Sequence, residues 1–117
     1  MEISIQKQEG IYIVHMQGNY SGVPQLFRDV LSTLIQEEDP ALLLWLDKIT
    51  ALSSIEIKEI VDIQEAIHKK RGQLKIVCEQ SGVLNILQAT RLDKVTPIYS
   101  ELRQAVKDFA RSRLRTV

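Results

Sequence analysis

The stretch Leu42-Leu43-Leu44-Trp45-Leu46-Asp47-Lys48-Ile49-Thr50-Ala51-Leu52-Ser53-Ser54-Ile55-Glu56-Ile57 decides the fold class. Its first five residues are apolar without alternation, the pattern of a strand covered on both faces, as in parallel sheets flanked by helices. Beyond a short connection, Ser53 and Ser54 open a segment in which Ile57, Ile60, Val61 and Ile67 recur at helical spacing, extending to about Lys70 with Gly72 closing it. A buried strand that feeds a helix in this way is half of a βαβ unit.

The same alternation of elements continues outward in both directions. Glu2 to Lys7 alternates apolar Ile3 and Ile5 with polar neighbours, Glu9-Gly10 supplies a turn, and Ile11 to Met16 places apolar groups on both faces. These predict a hairpin whose second strand is central. Val23, Leu26, Phe27, Val30, Leu31, Leu34 and Ile35 mark a helix, with Ser21 and Pro24 in its first turn and Glu37 to Pro40 at its end. Towards the C-terminus, Leu74 to Cys78 reads as a strand and Ser81 to Arg91 as a helix. Val95 to Tyr99 is a strand that Pro97 confines to an edge, and Ser100 to about Arg111 is a helix carrying Leu102, Ala105, Val106 and Phe109. The expected architecture is a single α/β domain with a mostly parallel sheet of four or five strands. The N-terminal strand lies at one edge, helices cover both faces, and Trp45 and Cys78 are buried.

A chain of 117 residues supports a core without crosslinks, and 44% hydrophobic with 26% charged residues excludes a disordered or collagen-like polymer. The longest apolar run, Ala41 to Leu46, is far too short to span a bilayer, and no basic flank precedes an apolar segment at the N-terminus. Cys78 is the one cysteine and forms no internal disulfide, which fits a reducing cytoplasm. The formal charge is zero but unevenly spread. Residues 1–60 hold four basic and nine acidic side chains, residues 61–117 eleven and six. Neither the whole molecule nor its C-terminus, where Arg111, Arg113 and Arg115 lack interleaved aromatics, has the pattern of a nucleic-acid binder. Residues 111–117 read as a frayed basic tail behind a domain of residues 1–110.

Catalytic motifs are scarce. The five glycines are scattered, so there is no phosphate loop, and Cys78, His15 and His68 lie on different elements, so no metal-ligand set or cofactor site forms. His15 reads as a locally bonded strand residue, His68 as part of the basic end His68-Lys69-Lys70-Arg71 of a helix, and Trp45 as core. Glu37, Glu38 and Asp39 read as a solvated helix end. No nucleophile and base pair by spacing, so an enzyme is not expected.

The turn Leu52-Ser53-Ser54-Ile55 resembles the serine-bearing turn of the STAS domain, the fold of bacterial anti-sigma factor antagonists. Gly18-Asn19-Tyr20-Ser21 falls where that family has a Gly-x-Leu-Asp turn, and Lys70-Arg71-Gly72-Gln73-Leu74-Lys75-Ile76-Val77 resembles its helix-to-strand passage. Leu92-Asp93-Lys94-Val95-Thr96-Pro97-Ile98-Tyr99, with Leu102 and Ala105, resembles its ending. Order and spacing agree from about residue 2 to 110. The resemblance implies a non-catalytic regulatory module that occupies an anti-sigma factor or kinase-like regulatory protein and is switched by phosphate on Ser53, with Ser54 as the alternative acceptor. The alternative it allows is an accessory subunit of a larger assembly, such as a stress-sensing complex or a membrane lipid transporter, whose partner is then an ATPase or permease. Leu52, Ile55 and Ser21 stand where switched members carry Asp, Gly and Asp.

Ser53 also has a folding role available. With Ser53 at the N-cap, Glu56 completes a capping box, and Leu52 and Ile57 form a hydrophobic staple. The expected docking surface comprises Asn19, Tyr20, Ser21, Thr50, Leu52, Ser53, Ser54, Ile55, Lys58 and Asp62, with Glu65 flanking it. These residues are expected to converge at a point where the direction of the strand crossovers reverses.

Overall fold

Gly10 adopts a left-handed φ of 82°, which reverses the chain between two seven-residue strands, β1 (Glu2–Gln8) and β2 (Ile11–Gln17). They pair antiparallel from Glu2 opposite Gln17 to Gln8 opposite Ile11. The structure is a computed structural model and describes residues 2–8, 10–17, 29, 40–47, 49 and 52–115. Of the helix expected over Val23 to Ile35, only Asp29 is among them, and it is helical.

β3 (Ala41–Asp47), β4 (Gln73–Val77) and β5 (Ile98–Tyr99) follow in parallel, giving the spatial order β1-β2-β3-β4-β5. Each parallel step moves the same way across the sheet, and right-handed crossovers then place the connecting helices on one face. α1 (Ser54–Lys69) and α2 (Ser81–Ala89) share a core with Val14, Met16, Leu42, Leu44, Leu46, Leu74 and Ile76. α3 (Leu102–Arg115) lies on the opposite face, where Ala105 and Phe109 pack with Ile11, Ile13, Leu43 and Val77. Alternation along β3 divides it between the two cores, Leu42, Leu44 and Leu46 into one and Ala41 and Leu43 into the other.

α1 ends in a Schellman motif. The Gly72 N–H donates to the Ile67 carbonyl at 2.9 Å and the Arg71 N–H to that of His68 at 3.0 Å, with Arg71 itself in the left-handed position at φ 61°. Gly72 is needed for a different reason, since a Cβ there would lie 2.3 Å from the Pro40 carbonyl oxygen.

Four expectations need correction. The strand foreseen over Val95 to Tyr99 shrinks to Ile98–Tyr99, because the Val95 and Thr96 amides both turn back to the Leu92 carbonyl at 3.2 and 2.9 Å and Pro97 has no N–H to give. The preceding Leu92–Lys94 forms a single 3₁₀ turn. α3 continues to Arg115 instead of fraying at residue 111, in a segment free of glycine and proline. Trp45 is half-buried, because it lies toward the end of β3 with His15 stacked on its ring. Finally, the order β2-β3-β4-β5 never changes direction, so no topological switch point exists among the parallel strands.

Candidate partner-docking site

The C-terminal ends of β2 and β3 finish level, Gln17 opposite Asp47, simply because the two strands are parallel neighbours. From there the chain passes through Ile49, fully buried, and Leu52, 8% exposed, before α1 begins. These two apolar side chains fasten the connection to the core beneath α1. Leu52, expected on the docking surface, therefore belongs to the interior.

Ser53 occupies the N-cap position with extended dihedrals (φ −85°, ψ 169°), and its carbonyl accepts the first helical bond, from the Ile57 N–H at 3.1 Å. Its hydroxyl makes no capping hydrogen bond. The expected capping box is thus not formed, and Glu56 is buried at 6% exposure instead of reaching back over the helix end. The staple partners Leu52 and Ile57 do lie in one cluster, so the helix start is held by apolar burial.

What the staple leaves outside is an exposed surface. Ser53, Ser54, Lys58, Asp62 and Glu65 are all exposed, and Ile55 is 58% exposed, although an isoleucine gains by burial. Glu56, Ile57, Ile60, Ile63 and Ile67 turn inward at helical spacing. Asn19, Tyr20, Ser21 and Thr50 lie outside the described residues.

A second group at the same end of the sheet escaped the sequence reading. Nε2 of His15 lies 2.9 Å from Oδ2 of Asp47, and the Gln17 side-chain amide donates to that same oxygen at 3.2 Å. The His15 ring stacks on Trp45 with centroids 3.9 Å apart and planes 15° from parallel. His15, Gln17, Trp45 and Asp47 all occupy odd positions of adjacent parallel strands, which puts them on the sheet face opposite α1. Strand alternation was the signal that could have grouped them, but it needed the β2–β3 register to be read.

Cys78 is buried, its Sγ 3.6 Å from the Gln80 carbonyl, and burial pushes the thiol above its ordinary range despite that contact, with the nearby Glu79 charge acting in the same direction as burial. An opening of about 260 Å³ at the far end of α1, lined by Gln64, Ile67, His68 and Pro97 among others, holds no nucleophile and base in contact. Among the described residues no group of three or more His, Cys, Asp or Glu side chains is placed to hold a metal ion, and no helix is long and apolar enough to cross a membrane.

The family model of the STAS domain matches residues 2–105. The chain belongs to the STAS domain family. No curated protein matches this STAS chain at a significant level. Among solved structures, an anti-sigma factor antagonist from Mycobacterium paratuberculosis superposes with a TM-score of 0.82 at 21% identity, with 92% of each chain covered. An anti-sigma-factor antagonist (STAS) domain protein from Planctomyces limnophilus gives 0.81 at 19% identity, covering 92% of this chain and 97% of its own. At these identities the likeness is one of fold, and it confirms the single α/β domain with a mostly parallel five-stranded sheet.

Proposed function

We propose that this STAS chain is a non-catalytic regulatory module of the anti-sigma factor antagonist type. It docks a kinase-like anti-sigma partner in the bacterial cytoplasm through Ser53, Ser54, Ile55, Lys58 and Asp62, and phosphate on Ser53 releases that partner. The observation that carries this reading is the state of Ser53: exposed, at a helix N-terminus, with a hydroxyl that makes no capping bond. A serine that does not cap has no folding reason to be there, and the N-terminal amides and dipole of α1 accommodate an added anion without unfolding the helix. Exposed Ile55 supplies apolar area for the partner to cover, and Lys58 and Asp62 set charge complementarity around it. Asn19, Tyr20, Ser21 and Thr50 belong to the same proposed surface through their closeness in sequence to the level ends of β2 and β3.

Ser53→Asp and Ser53→Ala separate switch from scaffold. Ser53→Ala is expected to keep partner affinity and to change stability by less than about 0.5 kcal/mol, as for a surface substitution that breaks no cap. Ser53→Asp is expected to fold normally and bind at least about tenfold more weakly, because it places an anion on the docking surface. Isothermal titration with the protein captured from the source cell reads both. Ser53→Asp binding as tightly as wild type would overturn the switch, and capture of a transporter ATPase or permease in place of an anti-sigma protein would overturn the partner class.

A further inference from the structure

We infer that the opening at the far end of α1 is a binding site for one residue of an extended peptide chain, which pairs with the backbone of Leu74. The Gln73 N–H donates to the Pro40 carbonyl at 2.8 Å, on the side of β3, and the Ile76 N–H to the Pro97 carbonyl at 3.0 Å, on the side of β5. Successive residues of a strand direct their backbone groups to alternate sides, so those of Leu74 are directed toward β5. There the ladder stops. One step before Ile76, the Leu74 carbonyl would need a donor from Pro97, which has no N–H. The Leu74 N–H would need the Val95 carbonyl, which takes the Gln64 side-chain amide at 3.4 Å instead. Among the described residues neither backbone group of Leu74 has a partner, although the residue is only 5% exposed.

Backbone groups so enclosed are nearly always paired, by the protein, by water or by a ligand. Other unmet groups lie in the neighbouring chain: Oδ1 of Asp93 and Oγ1 of Thr96 are buried without a partner, in the segment that brings Val95 and Pro97 to the opening. Space decides between water and a ligand. Roughly 10–15 Å³ holds one water, and this opening measures about 260 Å³. Its walls include Ile67, Val95 and Pro97, and Val95 is 58% exposed, so apolar surface stands beside the unpaired backbone of Leu74. Water leaves that surface wet, whereas the side chain of a peptide residue covers it. The Leu74 groups select the backbone of that residue as well. An extended residue running antiparallel donates its N–H to the Leu74 carbonyl and accepts the Leu74 N–H on its own carbonyl, the reciprocal exchange of a hydrogen-bonded strand pair. Ser53 lies at the opposite end of α1, so this site does not depend on what the Ser53 surface binds.

Titration of the isotope-labelled full chain with N-acetylleucine N-methylamide, followed by amide nuclear magnetic resonance, tests this. The probe carries one residue with its own N–H and carbonyl. It is expected to move the Leu74 amide proton downfield and to slow its exchange with solvent at least about tenfold at saturation. An analogue whose leucine N–H is replaced by an ester oxygen leaves the Leu74 carbonyl unpaired and is expected to bind at least about tenfold more weakly. Val95→Trp, which places a large ring at the wall of the opening, is expected to abolish the shift with an unchanged circular dichroism spectrum. A Leu74 amide that does not move at the solubility limit of the probe leaves water as the occupant and overturns the inference. So does an ester that binds as tightly as the amide, or a Val95→Trp protein that responds like wild type. If Val95→Trp unfolds, the comparison of amide with ester on wild type decides.

Discussion

On the sheet face that carries α1 and α2, Leu42, Leu44, Leu46, Leu74 and Ile76 meet Ile57, Ile60, Ile63 and Ile67. On the face under α3, the buried set includes an ammonium group. Lys75 is only 7% exposed, its Nζ 5.0 Å from the centroid of the Phe109 ring and donating to the Tyr99 hydroxyl at 3.3 Å. That hydroxyl in turn donates to Asp108 at 2.6 Å, and Gln104 donates to the other carboxylate oxygen at 3.2 Å. Aliphatic burial has no preferred direction, and it dominates on the α1 and α2 face, although α1 also buries Glu56 and Glu59 and its Gln64 amide donates to the Val95 carbonyl at 3.4 Å. The hydrogen-bonded chain from β4 through β5 to α3 is directional and fixes one helix at one rotation.

Substitutions on the two faces should therefore differ in kind as well as size. Leu44, fully buried in the aliphatic core, carries the largest expected effect: Leu44→Ala should cost about 2 to 5 kcal/mol in urea unfolding, with the whole domain losing stability together. Asp108→Ala removes a charged acceptor from Tyr99 and should cost about 1.5 to 3 kcal/mol. Hydrogen exchange should show that loss concentrated in α3, and a uniform loss would mean that the chain does not locate the helix.

The smallest effect is the most specific. Burial, then the hydrogen bond to Asp108 and its charge, push the Tyr99 phenol up from 10 to about 12. The unfolded chain releases that proton first, so across this interval the folded state holds more protons and stability falls as pH rises. Burial holds Lys75 below its ordinary 10.5, against the opposing pull of Asp108, and this acts the other way, raising stability as pH climbs toward that value. The unfolding midpoint should thus decline between pH 10 and 12, and Tyr99→Phe should flatten the decline. An equally steep decline in Tyr99→Phe would remove Tyr99 as its source.

The strands and helices were legible wherever one residue type carried the pattern. The unbroken apolar run of β3 and the isoleucines of α1 declared their elements, and Gly10 declared the hairpin. Pro97 declared an edge but not the length of β5, which is cut short where the Val95 and Thr96 amides turn back to the Leu92 carbonyl. The serine turn was found by its resemblance to a family, and the staple by spacing. The failure of the cap was not visible, since an N-cap serine and a capping serine have the same sequence. Nothing in the run Leu74 to Cys78 distinguished the role of Lys75, and only the register of Tyr99 and the rotation of α3 reveal that its charge is enclosed.

Trp45 is the single tryptophan of the chain, and its ring is held against an imidazole at the end of the sheet where β2 and β3 deliver their connections. Indole emission responds to neighbouring water and is quenched by a stacked imidazole, so the native protein carries its own optical probe a few residues from the surface around Ser53. A partner that reorders this end changes the emission of Trp45 without any added dye, and His15→Phe, by removing the quencher, calibrates how bright the undisturbed probe can be.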